Sequence, residues 1–153
     1  MMTAQTQGYH IRKMLSSDLE NVTALEAACF SMPWKYRDFE EALINPHRVY
    51  LVAETDDKQI IGGCMLTEIA GEGDISNVAV DERFRGRHIA TALLQRLLEY
   101  GKEEYDINAF TLEVRSQNTA AVRLYENAGF TSEGIRPGFY DKPKDDAIIM
   151  WKR

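Results

Sequence analysis

The sequence contains few of the residues that build disulfide frameworks or metal centres, and it has no long apolar run. Its two cysteines, Cys29 and Cys64, are far apart, and neither belongs to a C-x-x-C pair. His10, His47 and His88 share no ligand spacing with one another. No segment approaches the length of a membrane span, and the opening residues carry neither a basic nor an apolar region. We therefore expect a cytoplasmic protein with reduced thiols, no metal and no membrane partner.

An excess of basic residues is also absent. The chain has 18 Lys and Arg against 24 Asp and Glu, a formal net charge of -6. Because affinity for a phosphate backbone depends on clustered Lys and Arg, this balance argues against direct binding of nucleic acid. It is compatible with a basic partner and also with an ordinary solvated acidic surface. The Walker and G-x-G-x-x-G patterns are missing as well, which argues against kinases and dinucleotide enzymes.

The composition that remains is that of one globular domain. The chain of 153 residues is 44% hydrophobic and 27% charged, and no linker, repeat or low-complexity segment divides it. We predict a single domain over residues 1–153, of class α/β, with about seven strands in a mixed, mostly antiparallel sheet and about four flanking helices. The predicted elements, in order, are a strand in "YHIRKM", helices in "SSDLENVTALEAACF" and before Pro46, strands in "RVYLVAET", "IIGGCMLTEIA" and "DISNVAV", a long helix from Ile89, a strand in "AFTLEVR", a helix in "NTAAVRLYENAG", and strands in "FTSEGIRPGFY" and "DDAIIMWKR".

The middle of this order predicts where a binding site lies. "DISNVAV" and "AFTLEVR" are strands with a helix between them and about 30 residues between the strand ends, which suits a right-handed parallel crossover. Each strand leads into a helix, so the two helix N-termini emerge on the same edge of the sheet. Free N–H groups and the positive end of the helix dipole make such an edge attractive to anions.

The first of these helices is entered through residues 83–88, "RFRGRH", which we call the basic collar. Arg83, Arg85 and Arg87 concentrate positive charge there, and Gly86 lets the backbone approach a ligand closely. This pattern favours a polyphosphate ligand. A glycine among arginines before a helix is also typical of a solvated turn, and spacing alone leaves both interpretations open.

Three segments resemble the Gcn5-related N-acetyltransferases, the GNAT family: "NVAV", the basic collar and "LEVRSQNTAAVRLYENAGF". The upstream "CFSMPW" and the tail "GFYDKPKDDAIIMW" are similar to the RimI type of that family, whose members acetylate the N-terminal alanine of a ribosomal protein. The resemblance implies a GNAT fold with a central parallel strand pair and acetyl-CoA as cosubstrate. It also implies acetyl transfer to the N-terminal α-amino group of a protein, most closely a small-subunit ribosomal protein.

The resemblance further implies how the chain holds acetyl-CoA. Amides of the collar and of the start of the long helix bind the pyrophosphate, the preceding strand pairs with the pantetheine arm, and Asn118 meets the cofactor beyond the second strand. The implied cofactor residues are Val78, Ala79, Val80, Arg85, Gly86, Arg87, His88, Ile89, Ala90, Thr91 and Asn118. The family has glycine where this chain has His88, which implies weaker or slightly displaced cofactor binding.

Two residues are implied to act in catalysis. Glu113 matches the general base of the family, which often acts through water, and Tyr125 matches the tyrosine that donates to the departing sulfur. The chemistry needs a base because only about a tenth of an α-amino group with a pKa near 8 is neutral at pH 7. From the residues alone, Glu113 also fits an exposed strand glutamate in an ion pair, and Tyr125 fits a core aromatic residue.

For the acceptor, the resemblance implies a peptide groove between two segments. Pro33 and Trp34 follow the first helix, and Tyr140 and Asp141 lie in the terminal hairpin. Trp34 equally fits a packing role. Asp141 and the two aspartates that follow it in the hairpin predict attraction of a basic protein N-terminus. Two other functions stay open: acetylation of a lysine, a polyamine or an antibiotic, and a regulatory module that binds acetyl-CoA without catalysis.

Overall fold

The structure of the protein is a computed structural model, which describes residues 8–153. Over this range it forms seven strands and four α-helices. The strands are β1 (Tyr9–Lys13), β2 (Arg48–Thr55), β3 (Ile60–Ile69), β4 (Glu72–Val80), β5 (Ala109–Arg115), β6 (Thr131–Tyr140) and β7 (Asp145–Lys152). The helices are α1 (Leu19–Cys29), α2 (Tyr36–Ile44), α3 (Ile89–Tyr105) and α4 (Thr119–Asn127).

The strands form one mixed sheet in the order β1-β2-β3-β4-β5-β7-β6. β4 and β5 pair in parallel, and the other neighbouring strands pair antiparallel. The α/β class, the mostly antiparallel sheet and the central parallel pair are therefore confirmed. Because α3 is the crossover between the two parallel strands, the N-termini of α3 and α4 lie at the same edge of the sheet, as the element order predicted.

β4 and β5 are paired over only part of their length. The parallel register ends at Ile75 opposite Leu112, although β4 continues to Val80. Just beyond this point Asn77 adopts a left-handed conformation with a φ of 58°, next to a register shift between β3 and β4. A bulge of this kind bends the strand that carries it. The two strands thus open a cleft in the sheet, and one wall of the cleft is a stretch of β4 backbone without a β5 partner.

Apolar clusters cover both faces of the sheet. α3 packs on one face through its apolar stripe, which includes the fully buried Leu93 and Leu97. α1 and α2 pack on the other face, where Val22 and Phe39 contact a cluster that includes Tyr50. The sheet edge that carries the cleft therefore lies between two helical layers, which gives a ligand walls on both sides.

The Phe110 ring fixes the position of α3 on the sheet. A Cβ on Gly101 of α3 would lie 2.8 Å from the Phe110 ring, and a Cβ on Gly73 of β4 would also lie 2.8 Å from it. Glycine at these two positions makes room for the ring, which is almost completely buried. Because protein cores are close-packed, this contact leaves α3 little freedom to shift relative to the cleft.

No helix within residues 8–153 is long and apolar enough to cross a membrane. Residues 1–7 lie outside the described part of the chain. The prediction of a cytoplasmic protein rested partly on the opening residues, and that part of it lies outside the described residues.

Candidate active site

The basic collar leads into α3, and two of its residues have a left-handed backbone conformation. Gly86 has a φ of 79°, and His88, the N-cap of α3, has a φ of 62° and a ψ of 22°. Within the described residues the His88 side chain makes no capping hydrogen bond. The N–H groups of the first turn of α3 are therefore free to bind an anion at the cleft.

Arg83 and Arg85 of the collar make polar contacts within the protein. Arg83 Nη2 lies 3.0 Å from Asp81 Oδ2. Arg85 Nε donates a hydrogen bond to the Val80 carbonyl oxygen at 3.0 Å, so Arg85 fixes the end of β4. The positive charge predicted from sequence is therefore partly neutralised by Asp81, and the backbone of the α3 N-terminus carries more of the anion attraction than the arginine count implied.

A cavity of about 580 Å³, which we call the cofactor cavity, lies between the end of β4, the collar and the start of α4. Its size is typical of small-molecule sites. Most residues implied to bind acetyl-CoA line it: Val78, Ala79, Val80, Arg85, Gly86, His88, Ile89, Ala90 and Asn118. Arg87 and Thr91 are not among its lining residues. The cavity joins the α3 N-terminus to the cleft, which suits an elongated ligand with a phosphate group at one end.

A second cavity of about 660 Å³, the acceptor cavity, adjoins the first. Six residues line both cavities, and the two spaces meet at them: Cys29, Phe30, Val78, Asn118, Ala121 and Tyr125. Asn118 also caps α4, since its Oδ1 accepts a hydrogen bond from Ala121 N at 3.1 Å. The meeting point is therefore held by the N-terminus of α4 and by the end of β4 that has no β5 partner.

The structure brings three of the four implied acceptor residues together. Trp34, Tyr140 and Asp141 line the acceptor cavity. Pro33 belongs to the same loop as Trp34 but is not among the lining residues. Trp34 also packs against Phe39, with ring centroids 5.4 Å apart. Both interpretations of Trp34, cavity wall and packing residue, are thus consistent with its position.

One side of the acceptor cavity is closed by a contact between the two flanking segments. Ser31 Oγ donates a hydrogen bond to the Lys142 carbonyl oxygen, which links the α1–α2 loop to the β6–β7 turn. Arg115 Nη1 donates to the Pro143 carbonyl oxygen at 2.6 Å, and its guanidinium lies 4.3 Å from the centroid of the Tyr140 ring. We call these contacts the hairpin bridge. The bridge therefore joins the two segments that flank the acceptor cavity.

Tyr125 lies where the two cavities meet. Its side chain is 7% exposed, and its ring packs edge-on against Phe130 with centroids 6.0 Å apart. Burial raises the pKa of its hydroxyl, so the group stays protonated at neutral pH and acts as a hydrogen-bond donor. The position is compatible with donation to a departing sulfur and equally with a core role.

Glu113 is not brought into this arrangement. Its Oε2 lies 3.0 Å from Arg136 Nε across β7, in a partly exposed ion pair. Neither cavity has Glu113 among its lining residues. The structure therefore matches the ion-pair interpretation of this residue, and the catalytic role implied by the resemblance stays a prediction.

A buried carboxyl group that the sequence analysis missed lines the acceptor cavity instead. Glu26 of α1 is 0% exposed, and its Oε1 accepts a hydrogen bond from Asn77 Nδ2 at 2.9 Å. Desolvation raises the pKa of this carboxyl to about 7, against the opposing effect of its hydrogen bonds. A signal was present in the sequence, because Glu26 follows Val22 by one helical turn and so lies on the apolar stripe of α1.

The aspartates of the hairpin are less available to a ligand than we expected. Asp145 is buried and accepts a hydrogen bond from Ser116 Oγ at 2.5 Å. Asp146 accepts one from Gly138 N at 2.8 Å, which leaves Asp141 as the aspartate of this set that lines the acceptor cavity. Across residues 8–153, no group of three or more His, Cys, Asp or Glu side chains is arranged to hold a metal ion.

Comparison with known proteins identifies relatives along nearly the whole chain. The model of the acetyltransferase (GNAT) family matches residues 18–130. Over 142 residues the chain is 34% identical to the putative ribosomal protein bS18-alanine N-acetyltransferase of Bacillus subtilis (strain 168), covering 92% of this chain and 93% of that protein. The crystal structure of the ribosomal-protein-S18-alanine N-acetyltransferase from Escherichia coli matches with a TM-score of 0.85 and 26% identity, over 95% of this chain and 93% of that one.

The same fold occurs in an enzyme with a different acceptor. The structure of spermidine N-acetyltransferase from Vibrio cholerae in complex with CoA and spermine matches with a TM-score of 0.78 and 23% identity, over 94% of each chain. At this identity the likeness concerns the fold and does not extend to the acceptor. Specificity must therefore be argued from the acceptor cavity itself.

Proposed function

The chain belongs to the GNAT family of acetyltransferases, within which it is of the RimI type, and on this premise we propose that it acetylates the N-terminal α-amino group of a protein. The acceptor we propose is the N-terminal alanine of a small-subunit ribosomal protein, with acetyl-CoA as cosubstrate. The activities of the Bacillus subtilis and Escherichia coli relatives, as their names give them, support this acceptor. A ribosomal acceptor also implies a basic protein N-terminus as partner and a cytoplasmic location, without direct contact to nucleic acid.

The observation that carries the proposal is the acceptor cavity, closed on one side by the hairpin bridge and joined to the cofactor cavity at Tyr125. An internal lysine requires the peptide to run along the groove in both directions, which the contact between Ser31 and Lys142 opposes. A chain terminus needs to extend in one direction only. The cavity therefore favours an α-amino group that enters end-on.

In the proposed reaction the amine nitrogen attacks the thioester carbonyl, a C–N bond forms and the C–S bond breaks. Tyr125 donates a hydrogen bond to the sulfur as negative charge develops on it. Glu113 keeps the predicted role of general base, with one condition. Since Arg136 occupies one of its oxygens and the residue lies outside the cavity lining, Glu113 must reach the amine through water.

The test is a competition between amines of matched chemistry. We expect a basic peptide with a free N-terminal alanine to be acetylated with a kcat/KM at least about 100-fold above that of its N-blocked, lysine-containing copy and of spermidine. Mass spectrometry of each product, with initial rates from thiol release, measures this directly. Preferred acetylation of the lysine peptide or of spermidine would discard the acceptor and keep the family. An absence of product from every amine, despite measured acetyl-CoA binding, would indicate the regulatory module.

A separate prediction concerns His88 in the collar. Replacing His88 by glycine is expected to tighten acetyl-CoA binding about threefold, because glycine adopts the left-handed backbone without strain and removes a ring that lines the cofactor cavity. Isothermal titration calorimetry checks this.

His88→Ala is the matched control, since it removes the ring and keeps a Cβ at the left-handed position. Equal gains for alanine and glycine would assign the effect to the ring. Weaker binding in both variants would show that the ring contacts the cofactor favourably, contrary to the prediction.

A further inference from the structure

Glu26 is an ionisable group on a helix face that is otherwise apolar. Its neighbours on that face of α1 are Val22 and Leu25, both buried. A buried carboxyl group without an ion partner is costly, because burial removes the hydration that stabilises its charge. Within residues 8–153 the structure gives Glu26 no ion pair, whereas Glu113 has one with Arg136. A glutamate kept in such a position calls for a chemical reason.

The two oxygens of the Glu26 carboxyl group are held differently. Oε1 accepts a hydrogen bond from Asn77 Nδ2 at 2.9 Å, whereas Oε2 is buried and makes no hydrogen bond of good geometry among the described residues. The backbone of Trp34 lies near enough to the carboxyl group to favour its charged form. The residues that line the acceptor cavity include Glu26, Asn77, Val78 and Tyr125. Val78 and Tyr125 also line the cofactor cavity, so the acceptor cavity that Glu26 lines adjoins the cofactor cavity.

The groups that surround Glu26 leave its charge largely uncompensated. Tyr50 of β2 faces it from the sheet, with a buried hydroxyl that also has no partner in the described chain. Cys29 lies one turn along α1, and its Sγ is 3.7 Å from Arg85 Nη2. The other titratable residues around the cavity are Arg115, Tyr125, Tyr140 and Asp141. Arg115 is engaged by the hairpin bridge, so no cation in this set pairs with Glu26.

We propose that Glu26 is a second general base of this enzyme: its Oε2 takes one proton from the incoming ammonium group, directly or through one water. This rests on the proposed function and deepens it. The buried position gives the carboxyl a pKa of about 7, near the pH at which an α-amino group must be deprotonated. The ionised form then has an affinity for the proton that an ordinary surface carboxylate lacks.

The proton balance of the step is complete. The ammonium group gives one proton to Glu26, and the neutral amine forms the C–N bond while the C–S bond breaks. The second proton leaves the nitrogen by way of the water at Glu113 and ends on the departing sulfur, to which Tyr125 donates a hydrogen bond. Glu26 returns its proton to solvent as the product leaves, so the products are the amide, the CoA thiol and one proton.

The experiment measures kcat/KM from pH 6 to 9.5 with the amine that the wild-type protein acetylates best. In the wild-type protein we expect kcat/KM to rise as Glu26 ionises near pH 7, and we call this rise the limb near pH 7. For Glu26→Gln we expect kcat/KM to fall about 100-fold at pH 7 and the limb to disappear. The deficit in kcat/KM is expected to shrink towards pH 9.5, where the amine is neutral in solution. Glu26→Asp is expected to regain part of the rate and the limb. Glu20→Gln changes an exposed carboxyl on the same helix and is the matched control, with a wild-type profile expected.

Glu113→Gln separates the two candidate bases. It is expected to keep the limb near pH 7, and a limb lost in Glu113→Gln but kept in Glu26→Gln would overturn the proposal. A Glu26→Gln deficit that stays constant with pH, or that accompanies weaker acetyl-CoA binding, would indicate a structural role and would also overturn it.

A direct titration covers the case in which no amine is acetylated and the proposed function fails. Carbon NMR of the glutamate carboxyl groups, with the Glu26 signal assigned from Glu26→Gln, is recorded with CoA present and an alanine peptide added. We expect the peptide to lower the pKa of Glu26, since an ammonium group favours the charged form. An unchanged titration would refute contact between Glu26 and the amine.

Discussion

Replacing Tyr125 by phenylalanine is expected to lower kcat by about 100-fold, the contribution typical of one positioned acid or hydrogen-bond donor. The ring is retained in this variant, so the edge-on packing against Phe130 and the shape of both cavities persist. What is lost is the hydroxyl, which burial keeps protonated and which lies where the cofactor and the acceptor meet. A phenol with a reference pKa near 10 does not transfer its proton readily to a thiolate near 8.5, so the expected effect is that of a hydrogen bond that strengthens as the sulfur gains charge.

Single-turnover kinetics and calorimetry check this prediction together. The dissociation constant of acetyl-CoA is expected to change less than about twofold, because a hydrogen bond made only in the transition state does not contribute to ground-state binding. Phe130→Leu is a useful control, because it perturbs the packing of Tyr125 and leaves the hydroxyl in place. A Tyr125→Phe enzyme with wild-type kcat would assign Tyr125 to the core, the interpretation that the sequence left open.

The second large effect is on stability, and it requires no substrate. Since burial raises the pKa of Glu26 from its usual value of 4.5 to about 7, the folded protein binds this proton more tightly than the unfolded chain does. The stabilisation is therefore fully present below pH 4.5 and is lost as the pH rises through 7. We expect the free energy of unfolding to fall by about 3 kcal/mol from this one group between these limits, at 1.36 kcal/mol per pKa unit.

Denaturant unfolding at closely spaced pH values measures the effect. In Glu26→Gln the fall in the free energy of unfolding that Glu26 causes is expected to vanish. Above pH 7 the variant is therefore expected to be more stable than the wild-type protein, by about as much as the wild-type protein loses. Glu20→Gln, whose side chain is exposed, is expected to keep the wild-type slope. The opposite ordering above pH 7, with Glu26→Gln less stable than wild type, would show that Glu26 is stabilised as a charge in the folded state.

Much of the fold was readable from periodicity along single elements. The apolar stripe of α3 and the alternation of β5 predicted a helix and a strand, and the spacing between β4 and β5 predicted a parallel crossover, which the sheet order confirms. The pattern did not predict that the pairing of these strands ends at Ile75 and Leu112. That depends on the left-handed conformation of Asn77, which a short polar residue permits but does not require.

The elements, their order and the family can be derived from the sequence alone, because they follow from the period of apolar residues and from motifs within short segments. Which carboxyl group is buried at the site depends instead on the tertiary structure. Glu26 and Asn77 are 51 residues apart, and Ser31 and Lys142, which close the acceptor cavity, are 111 apart. Burial and hydrogen bonding across such distances depend on how α1, β4 and the β6–β7 turn pack together. A pattern within one segment records only the face on which a residue lies. Glu26 lies on the apolar face of α1 and was therefore missed, whereas the role of Glu113 came from the family resemblance and stays a prediction.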